Sequence, residues 1–152
     1  MKIYKSSIED KKSFVKLRIE LFEELGEKDE QITEEELKHE LESYYLNHIN
    51  KDFFCWFAEK DGKVVGVASM CMFCRIPYYQ NPVGLEGYIL NVYTLPEYRH
   101  YGAATKLVKE IIDFSKKSSI KRLWLNTSDA GRRIYESLGF ENGEENQMEL
   151  FL

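Results

Sequence analysis

Residues 91–107 read NVYTLPEYRHYGAATKL, and this stretch decides the fold. It predicts a β-strand, then a turn, then small residues where a helix begins. The strand stops at Pro96, because proline cannot donate to a sheet ladder. The first backbone N–H groups of a helix lack helical partners, and the helix dipole adds partial positive charge there. Arg99 adds a full charge, and Gly102 with Ala104 lets a pyrophosphate approach the backbone closely. The stretch therefore predicts a strand, a turn and a helix that together bind an anion.

Two motifs carry a resemblance to a known family. Residues 99–104, RHYGAA, match the Arg/Gln-x-x-Gly-x-Gly/Ala signature of the Gcn5-related N-acetyltransferases (GNATs), which follows a strand and opens a helix. Residues 134–140, IYESLGF, are similar to the Leu-Tyr-x-x-x-Gly-Phe that this family carries near its end. His100 stands where the family often has glycine, and Tyr101 where it often has lysine. The order of elements matches along the whole chain, so the sequence resembles this family over its full length.

The resemblance implies a site for acetyl-CoA as co-substrate. The strand at residues 85–95 would separate from the strand at residues 123–127 and leave a slot for the pantetheine arm. The backbone of this first strand would bond the pantetheine, and the turn and helix start would hold the pyrophosphate. Two polar residues after the second strand would also face the cofactor. The cofactor-binding residues expected on this basis are Val92, Tyr93, Thr94, Arg99, His100, Tyr101, Gly102, Ala103, Ala104, Thr105, Asn126 and Ser128.

Acetyl transfer from a thioester to an amine needs a neutral amine, a polarised carbonyl and a protonated leaving thiol. The resemblance points to Tyr135 as the acid that protonates the thiol. A backbone N–H within residues 92–94 would stabilise the oxyanion. The position that the family often gives to a basic glutamate or histidine is Tyr88 here. Glu86, two residues earlier on the same strand face, is the substitute base, acting through water. Without the family match, Tyr135 would be interpreted as a packed aromatic residue with a satisfied hydroxyl.

The periodicity of the remaining chain predicts one α+β (mixed α/β) domain over residues 1–152. Helices are expected from Ser7 to Gly26, from Thr33 to Ile49, over 102–117 and over 129–138. The predicted strands lie near Ile3, at 53–58, 64–73, 85–95, 123–127 and 148–152. The family fold implies a central, mainly antiparallel, twisted sheet of six to seven strands flanked by about four helices. An apolar strand at 147–152 would be an exposed edge, which favours a homodimer.

Composition excludes several classes of protein. The chain has 152 residues, 43% hydrophobic content and 21 basic against 26 acidic residues, for a net charge of −5. A protein that binds nucleic acid through phosphates is expected to be basic instead. No apolar run is long enough to span a membrane, and the charged N-terminus does not resemble a signal peptide. These features predict a cytoplasmic protein with no nucleic-acid or membrane partner.

The charges are unevenly distributed. Residues 20–42 hold eleven acidic and two basic residues, whereas residues 99–133 hold nine basic and three acidic ones. The basic segment surrounds the expected site of a polyanionic cofactor. In this family the first two helices and their loop shape the acceptor pocket, so the acidic segment would suit a cationic small-molecule or peptide amine. The alternative is that it is simply a solvated helix face.

The cysteines and histidines do not indicate a metal or redox site. Cys71 and Cys74 are three apart on a predicted strand, so they face opposite sides of the sheet. The cysteine spacing does not close a four-ligand zinc site, and no histidine has a carboxylate partner at ligand spacing. Packing roles are expected for these residues.

Three functions remain open at this point. The leading one is an N-acetyltransferase that works by direct transfer in a ternary complex. The alternative is a non-catalytic module that senses acyl-CoA with the same fold, because the 85–95 strand shows no clear base. A third, an acetyltransferase toxin acting on charged tRNA, would require a basic acceptor face, which the acidic segment argues against.

Overall fold

The computed structural model describes residues 1–143 and 146–152. The chain runs β1 (Lys2–Lys5), a 3-10 turn (Ile8–Asp10), α1 (Lys11–Leu25), α2 (Glu34–His48), β2 (Phe53–Lys60), β3 (Lys63–Cys74) and β4 (Leu85–Thr94). A second 3-10 turn (Pro96–Tyr98), α3 (Ala103–Lys117), β5 (Arg122–Trp124) and α4 (Asp129–Ser137) follow. The strands form one sheet in the order β1-β2-β3-β4-β5, antiparallel except for the parallel β4–β5 pair. This mixed α/β architecture confirms the predicted fold class.

Local signals set the helix ends. Thr33 caps α2 by accepting the Glu36 N–H, and the Glu36 carboxylate accepts the Thr33 N–H, which completes a capping box. Gly26 ends α1 in the left-handed region at φ 67°, and its N–H bonds to carbonyls of the last turn. Ser7 and Asp10 also form a capping box, but it caps the 3-10 turn, and α1 begins only at Lys11.

A two-residue turn connects β2 to β3. Asp61 and Gly62 have φ of 53° and 75°, as a type I′ hairpin requires. The sheet then carries helices on both faces. α1 packs on β3 and β4 and also on α2, whereas α3 packs on β2, β3 and β4 from the other side. The buried residues of α3 include Leu107, Val108 and Ile111, which lie on the stripe that its periodicity predicts.

The end of the chain corrects the expected strand count. The described residues form five strands, not six to seven. β5 stops at Trp124 rather than residue 127, and residues 148–152 form no strand. Met148, Leu150, Phe151 and Leu152 are all highly exposed. Apolar character alone does not make a strand, because strand stability comes from packing and pairing with a neighbour.

Among residues 1–143 and 146–152, no helix combines the length and apolar character that a membrane span requires.

Candidate functional site

A β-bulge interrupts β4 where the sequence predicts pantetheine contacts. Ser69 pairs with Leu90 and Val67 with Tyr93, so two residues of β4, Asn91 and Val92, face one residue of β3. Asn91 takes up the left-handed conformation with φ 55°. Such a bulge leaves the extra residue unpaired and locally disrupts the ladder. Backbone groups around Val92 are therefore the ones on this strand best placed to bond something other than β3.

The bulge is held by side chains. Asn91 is buried, its amide donates to Ser69 Oγ at 3.4 Å, and its Oδ1 accepts from Arg18 Nη1 at 3.4 Å. A left-handed residue with a β-carbon is strained, and asparagine tolerates the strain better than most residues. Asparagine is also a poor strand former, which is the sequence signal that could have revealed this bulge.

β4 and β5 separate beside the bulge. Their pairing covers Glu86 to Tyr88 on β4 and ends at Trp124. The Tyr88 ring lies against the Trp124 ring at 4.4 Å, and Asn126 Nδ2 donates to the Tyr88 hydroxyl at 3.5 Å. Beyond Tyr88 the remaining half of β4 has no partner on β5 within the described residues. We call the space between residues 89–94 and residues 125–128 the cleft.

The start of α3 can bind an anion at one end of β4. Gly102 precedes the helix at φ 77°, and no side chain caps the helix. The first helical bond joins Lys106 N–H to Gly102 C=O, so the N–H groups of Ala103, Ala104 and Thr105 lack helical partners. A β-carbon placed on Gly102 would meet no atom within 4 Å, which means that the space in front of the helix is open. These features fit a phosphate group.

The residues between the strand and α3 are mostly exposed. His100 has φ 66°, so it adopts the left-handed conformation where the family often has glycine. Tyr101 is 63% exposed, and Lys60 Nζ lies 5.0 Å from its ring centre. His100 and Gly102 both adopt positive φ just before the helix starts at Ala103. Left-handed residues next to a helix start are common in backbone anion nests.

Arg99 is partly exposed and is bound by groups of the protein itself. Its Nε donates to Thr94 C=O at 2.9 Å, and its Nη2 donates to Glu24 Oε2 at 2.5 Å. The Tyr93 hydroxyl donates to the same Glu24 oxygen at 3.3 Å. The bond from Arg99 holds the Glu24 pKa below its usual range, and Glu24 raises the Arg99 pKa. Arg99 thus ties the end of β4 to α1, next to the start of α3.

Tyr135 lies on α4, which follows the residues after β5. Ser128 caps α4 by accepting the Gly131 N–H at 3.3 Å, which places the helix directly after the cleft. The Tyr135 ring packs edge-on against Phe140 at 5.9 Å, and burial raises its pKa. Tyr135 shares with Trp124 and Asn126 the lining of an open groove of about 1240 Å³. Among the described residues its hydroxyl has no hydrogen-bond partner, so it remains available to a ligand.

Glu86 and Tyr88 have different surroundings although they share a strand face. Glu86 is fully buried, and its carboxylate accepts from the Tyr78 hydroxyl at 2.6 Å. Arg75 and Arg122 lie 3.6 and 3.5 Å from its two oxygens. The Glu86 carboxylate therefore anchors the 75–84 loop and β5. Tyr88 is half-buried beside Asn126, at the mouth of the cleft.

The described geometry brings only part of the predicted set together. Asn126 and Tyr135 line one groove, whereas none of residues 92–105 lines it. Residues 92–94 lie on β4 beside the bulge, residues 99–105 lead into α3, and Glu86 is buried on β4. Sequence reasoning missed Arg18 and Asn91. Arg18 has a signal in the sequence, because it falls four residues after Phe14 and four before Phe22, within the apolar stripe of α1.

No group of three or more His, Cys, Asp or Glu side chains in the described part of the chain is arranged to hold a metal ion.

Comparison with known proteins agrees with this geometry. The model of the acetyltransferase (GNAT) family matches residues 16–140, and the chain belongs to that family. A probable N-acetyltransferase from Xenopus laevis, camello, is 30% identical over 105 residues, which is 67% of this chain and 44% of camello. The chain therefore matches less than half the length of that curated relative.

Solved structures extend the likeness over almost the whole chain. A predicted acetyltransferase from Clostridium acetobutylicum, solved with acetyl-CoA, has a TM-score of 0.87 at 28% identity, covering 99% of this chain and 95% of that one. A GCN5-related N-acetyltransferase from Ralstonia eutropha JMP134 has a TM-score of 0.83 at 20% identity, covering 98% and 97%. At 20% identity, the Ralstonia eutropha structure supports the fold alone.

Proposed function

We propose that this protein is an N-acetyltransferase that moves an acetyl group from acetyl-CoA to a primary amine by direct transfer in a ternary complex. The observation that carries the proposal is the bulge at Asn91, where β4 has separated from β5, followed in the chain by the uncapped start of α3. The Tyr135 phenol lines an open groove with Trp124 and Asn126, at the end of β5. The acetyl-CoA seen in the Clostridium acetobutylicum relative supports the choice of co-substrate.

Binding of acetyl-CoA would use backbone groups more than side chains. The free N–H groups of residues 103–105 would hold the pyrophosphate, with Arg99 adding charge beside them. Backbone groups of Val92, Tyr93 and Thr94 would bond the pantetheine arm, because Val92 lies in the bulge and this half of β4 has no partner on β5 among the described residues. Asn126 and Ser128 lie on the opposite wall and would complete the slot.

The reaction would then need three protein groups. The amine nitrogen forms a bond to the thioester carbon, and the carbon–sulfur bond breaks. A backbone N–H beside Val92 would stabilise charge on the carbonyl oxygen. Tyr135 would give its proton to the departing sulfur, and its raised pKa keeps that proton in place at neutral pH. The proton leaving the amine would pass to Glu86 through water or through the Tyr88 hydroxyl as a relay, and solvent would return a proton to Tyr135.

A second candidate is a non-catalytic acyl-CoA sensor. The observation that favours it is the burial of Glu86 behind Tyr78, Arg75 and Arg122, which leaves no exposed carboxylate on β4. Both candidates predict acetyl-CoA binding, whereas only the enzyme predicts release of free CoA in the presence of an amine.

Thermal unfolding with and without acetyl-CoA tests the shared part of the two proposals. A ligand that binds only the folded state stabilises it by about 2.7 kcal/mol at a hundredfold excess over Kd. We expect the wild type to shift and Arg99→Glu to shift much less. Free CoA release with an amine panel then separates enzyme from sensor. An unshifted wild type would contradict both.

Only some carboxylates of the acidic segment, residues 20–42, would recognise a cationic amine, because several others already have partners in the protein. Glu24 pairs with Arg99, Glu34 with Lys38 and Glu42 with Lys11, and Glu36 caps α2. Glu27 and Glu30, in the α1–α2 loop, are exposed. We expect Glu27→Gln with Glu30→Gln to raise the amine KM. Glu35→Gln, on the exposed face of α2, is the control.

A homodimer remains part of the proposal. The exposed apolar residues Met148, Leu150, Phe151 and Leu152 would be covered by a second copy. Light scattering at increasing concentration tests this, and a mass that stays near 18.0 kDa would contradict it.

A further inference from the structure

Arg18 is half-buried on α1 with its charge uncompensated by a carboxylate. Four other arginines each pair with a glutamate, namely Arg75, Arg99, Arg122 and Arg132. In the part of the chain that the structure describes, no carboxylate oxygen lies within 4.0 Å of the Arg18 guanidinium. Its Nη1 donates to Asn91 Oδ1 at 3.4 Å, and its guanidinium carbon lies 4.2 Å from the Phe22 ring centre.

This arrangement leaves donors unused. A guanidinium carries five N–H donors in a planar fork and keeps its charge at every physiological pH. One long hydrogen bond to a neutral amide and one cation–π contact do not replace the hydrogen bonds to water that the guanidinium loses on burial. Burial lowers the Arg18 pKa, while Glu27, Tyr88 and Cys71 act in the opposite direction from a distance. An anionic ligand would supply the missing partner.

The position of Arg18 links it to the acceptor rather than to acetyl-CoA. It bonds the side chain of the bulge residue Asn91 from α1, on the face of the sheet opposite α3, whose N-terminus forms the expected pyrophosphate site. Tyr88 and Cys71 are among the groups that raise the Arg18 pKa against the effect of burial. Tyr88 also receives a hydrogen bond from Asn126 at the mouth of the cleft. An acceptor that reaches the cleft from the α1–α2 side would therefore pass Arg18.

We propose that Arg18 binds an anionic oxygen group, a carboxylate or a phosphate, on the same acceptor molecule whose amine is acetylated. The inference rests on the proposed acetyltransferase function and narrows its substrate class to small amines that also carry such a group. The guanidinium fork matches the paired oxygens of either group. Such an acceptor carries a positive amine as well as the anionic group. The acidic α1–α2 loop would attract the amine, while Arg18 would bind the anion.

Matched amines test this inference. Phenylalanine is compared with 2-phenylethylamine, and O-phosphoethanolamine with ethanolamine, so that each pair differs by one anionic group. We expect the wild type to prefer one of the anionic members over its partner by about 10- to 100-fold in kcat/KM. The pair that shows the preference distinguishes carboxylate from phosphate. Equal rates within both pairs would overturn the inference.

The variant Arg18→Gln tests whether Arg18 itself causes the preference for the anionic group. The KM of the amine with the anionic group should rise about tenfold or more, while the KM of acetyl-CoA and the kcat/KM of the amine without that group stay within about twofold. Lys16→Gln is the control, because Lys16 is an exposed cation on the same helix with its side chain 64% exposed. Equal losses on both amines of a pair would contradict an anion site. If Arg18→Gln does not fold, Arg18→Lys keeps the charge without the fork, and unchanged discrimination in that variant would also overturn the inference.

Binding separates this inference from the proposed function. If no amine releases CoA, the acetyltransferase proposal fails, and calorimetry with CoA plus N-acetylphenylalanine or N-acetyl-O-phosphoethanolamine decides the anion site. Binding by the wild type that Arg18→Gln abolishes would support the site even then. No binding of either compound would overturn it.

Discussion

Arg99 Nη2 donates to Glu24 Oε2 at 2.5 Å and joins the entrance of α3 to the last turn of α1. The same guanidinium is the charge expected to assist the pyrophosphate of acetyl-CoA. A carboxylate and a phosphate would therefore compete for one cation. Removing the Glu24 carboxylate therefore tests whether Arg99 contributes to the pyrophosphate site.

Glu24→Gln should tighten acetyl-CoA binding by a few-fold, because it removes the carboxylate that competes for Arg99. Exposed ion pairs are worth only about 0–1 kcal/mol, so a larger effect is not expected. Calorimetric Kd values at low and moderate salt measure the change. Glu23→Gln is the control, since Glu23 is an exposed neighbour on the same helix. Weaker binding by Glu24→Gln would mean that Glu24 positions Arg99 for the ligand instead.

Tyr135→Phe should lower kcat strongly and leave the acetyl-CoA Kd nearly unchanged, because it removes a proton donor and little else. Burial raises the Tyr135 pKa, so the phenol stays protonated up to and beyond the ordinary tyrosine value of about 10. The wild-type rate should fall only at pH above that value, and the variant should lack this alkaline decline. General acid catalysis contributes about 100- to 10,000-fold.

Tyr4→Phe is the control for that experiment. Tyr4 also has a raised pKa, about 12, chiefly from burial and then from Asp10, but it lies on the edge strand β1. Its removal should leave the pH–rate profile unchanged. An equal kcat in Tyr135→Phe and wild type would exclude Tyr135 as the acid.

Glu86→Gln should destabilise the protein by about 1–3 kcal/mol, because it removes the charge that the buried carboxylate presents to Arg75, Arg122 and the Tyr78 hydroxyl. Urea unfolding measures this, with Glu59→Gln on β2 as the control. If Glu86 acts only as an anchor, acetyl-CoA binding persists in the folded variant. A variant as stable as wild type that has lost kcat would establish Glu86 as the base.

Asn91→Ala should be less stable than Asn91→Gly by about 1 kcal/mol. Both variants lose the bonds to Ser69 and Arg18, but alanine keeps the strain of a β-carbon at φ 55°, whereas glycine does not. The difference in urea midpoint at constant m-value measures the strain. The opposite order would show that the bulge straightens when its side-chain bonds are lost.

Alkaline pH should lower the free energy of unfolding through the buried phenol of Tyr45. Burial raises the pKa of Tyr45, whose hydroxyl donates to the Ser7 carbonyl at 2.6 Å. Below pH about 10 the phenol is protonated in both states, and its contribution to stability is complete. As the pH rises further, the unfolded chain loses its proton first, so the free energy of unfolding falls. In Tyr45→Phe this fall between pH about 9 and 11.5 should be shallower, from a lower starting stability.

Much of the fold could be predicted from the sequence because its signals are local. The Thr33–Glu36 capping box, the Asp61–Gly62 turn and the Gly26 helix end each depend on residues within a few positions of one another. The start of α3 belongs to this class as well, since its free N–H groups follow from a helix that begins at Gly102 without a capping side chain.

The prediction of a final strand at 148–152 was wrong for a reason that shows the limit of local signals. Apolar residues describe a segment that can pair, but a partner edge must be available in the right register. β5 has only three residues and ends at Trp124. The length of that neighbour could not be predicted from residues 148–152 themselves.

The sequence by itself determined the order of the helices and the first five strands, most of the caps and the uncapped start of α3, because each follows from hydrogen bonds and periodicities that span a few residues. Only the tertiary structure decided that Arg99 meets Glu24, that Glu86 is enclosed by Arg75 and Arg122, and that Arg18 reaches the bulge at Asn91. These contacts join residues that are far apart in the chain. Their formation depends on strand register and helix packing, in which a one-residue shift would send each side chain to the other face of the sheet.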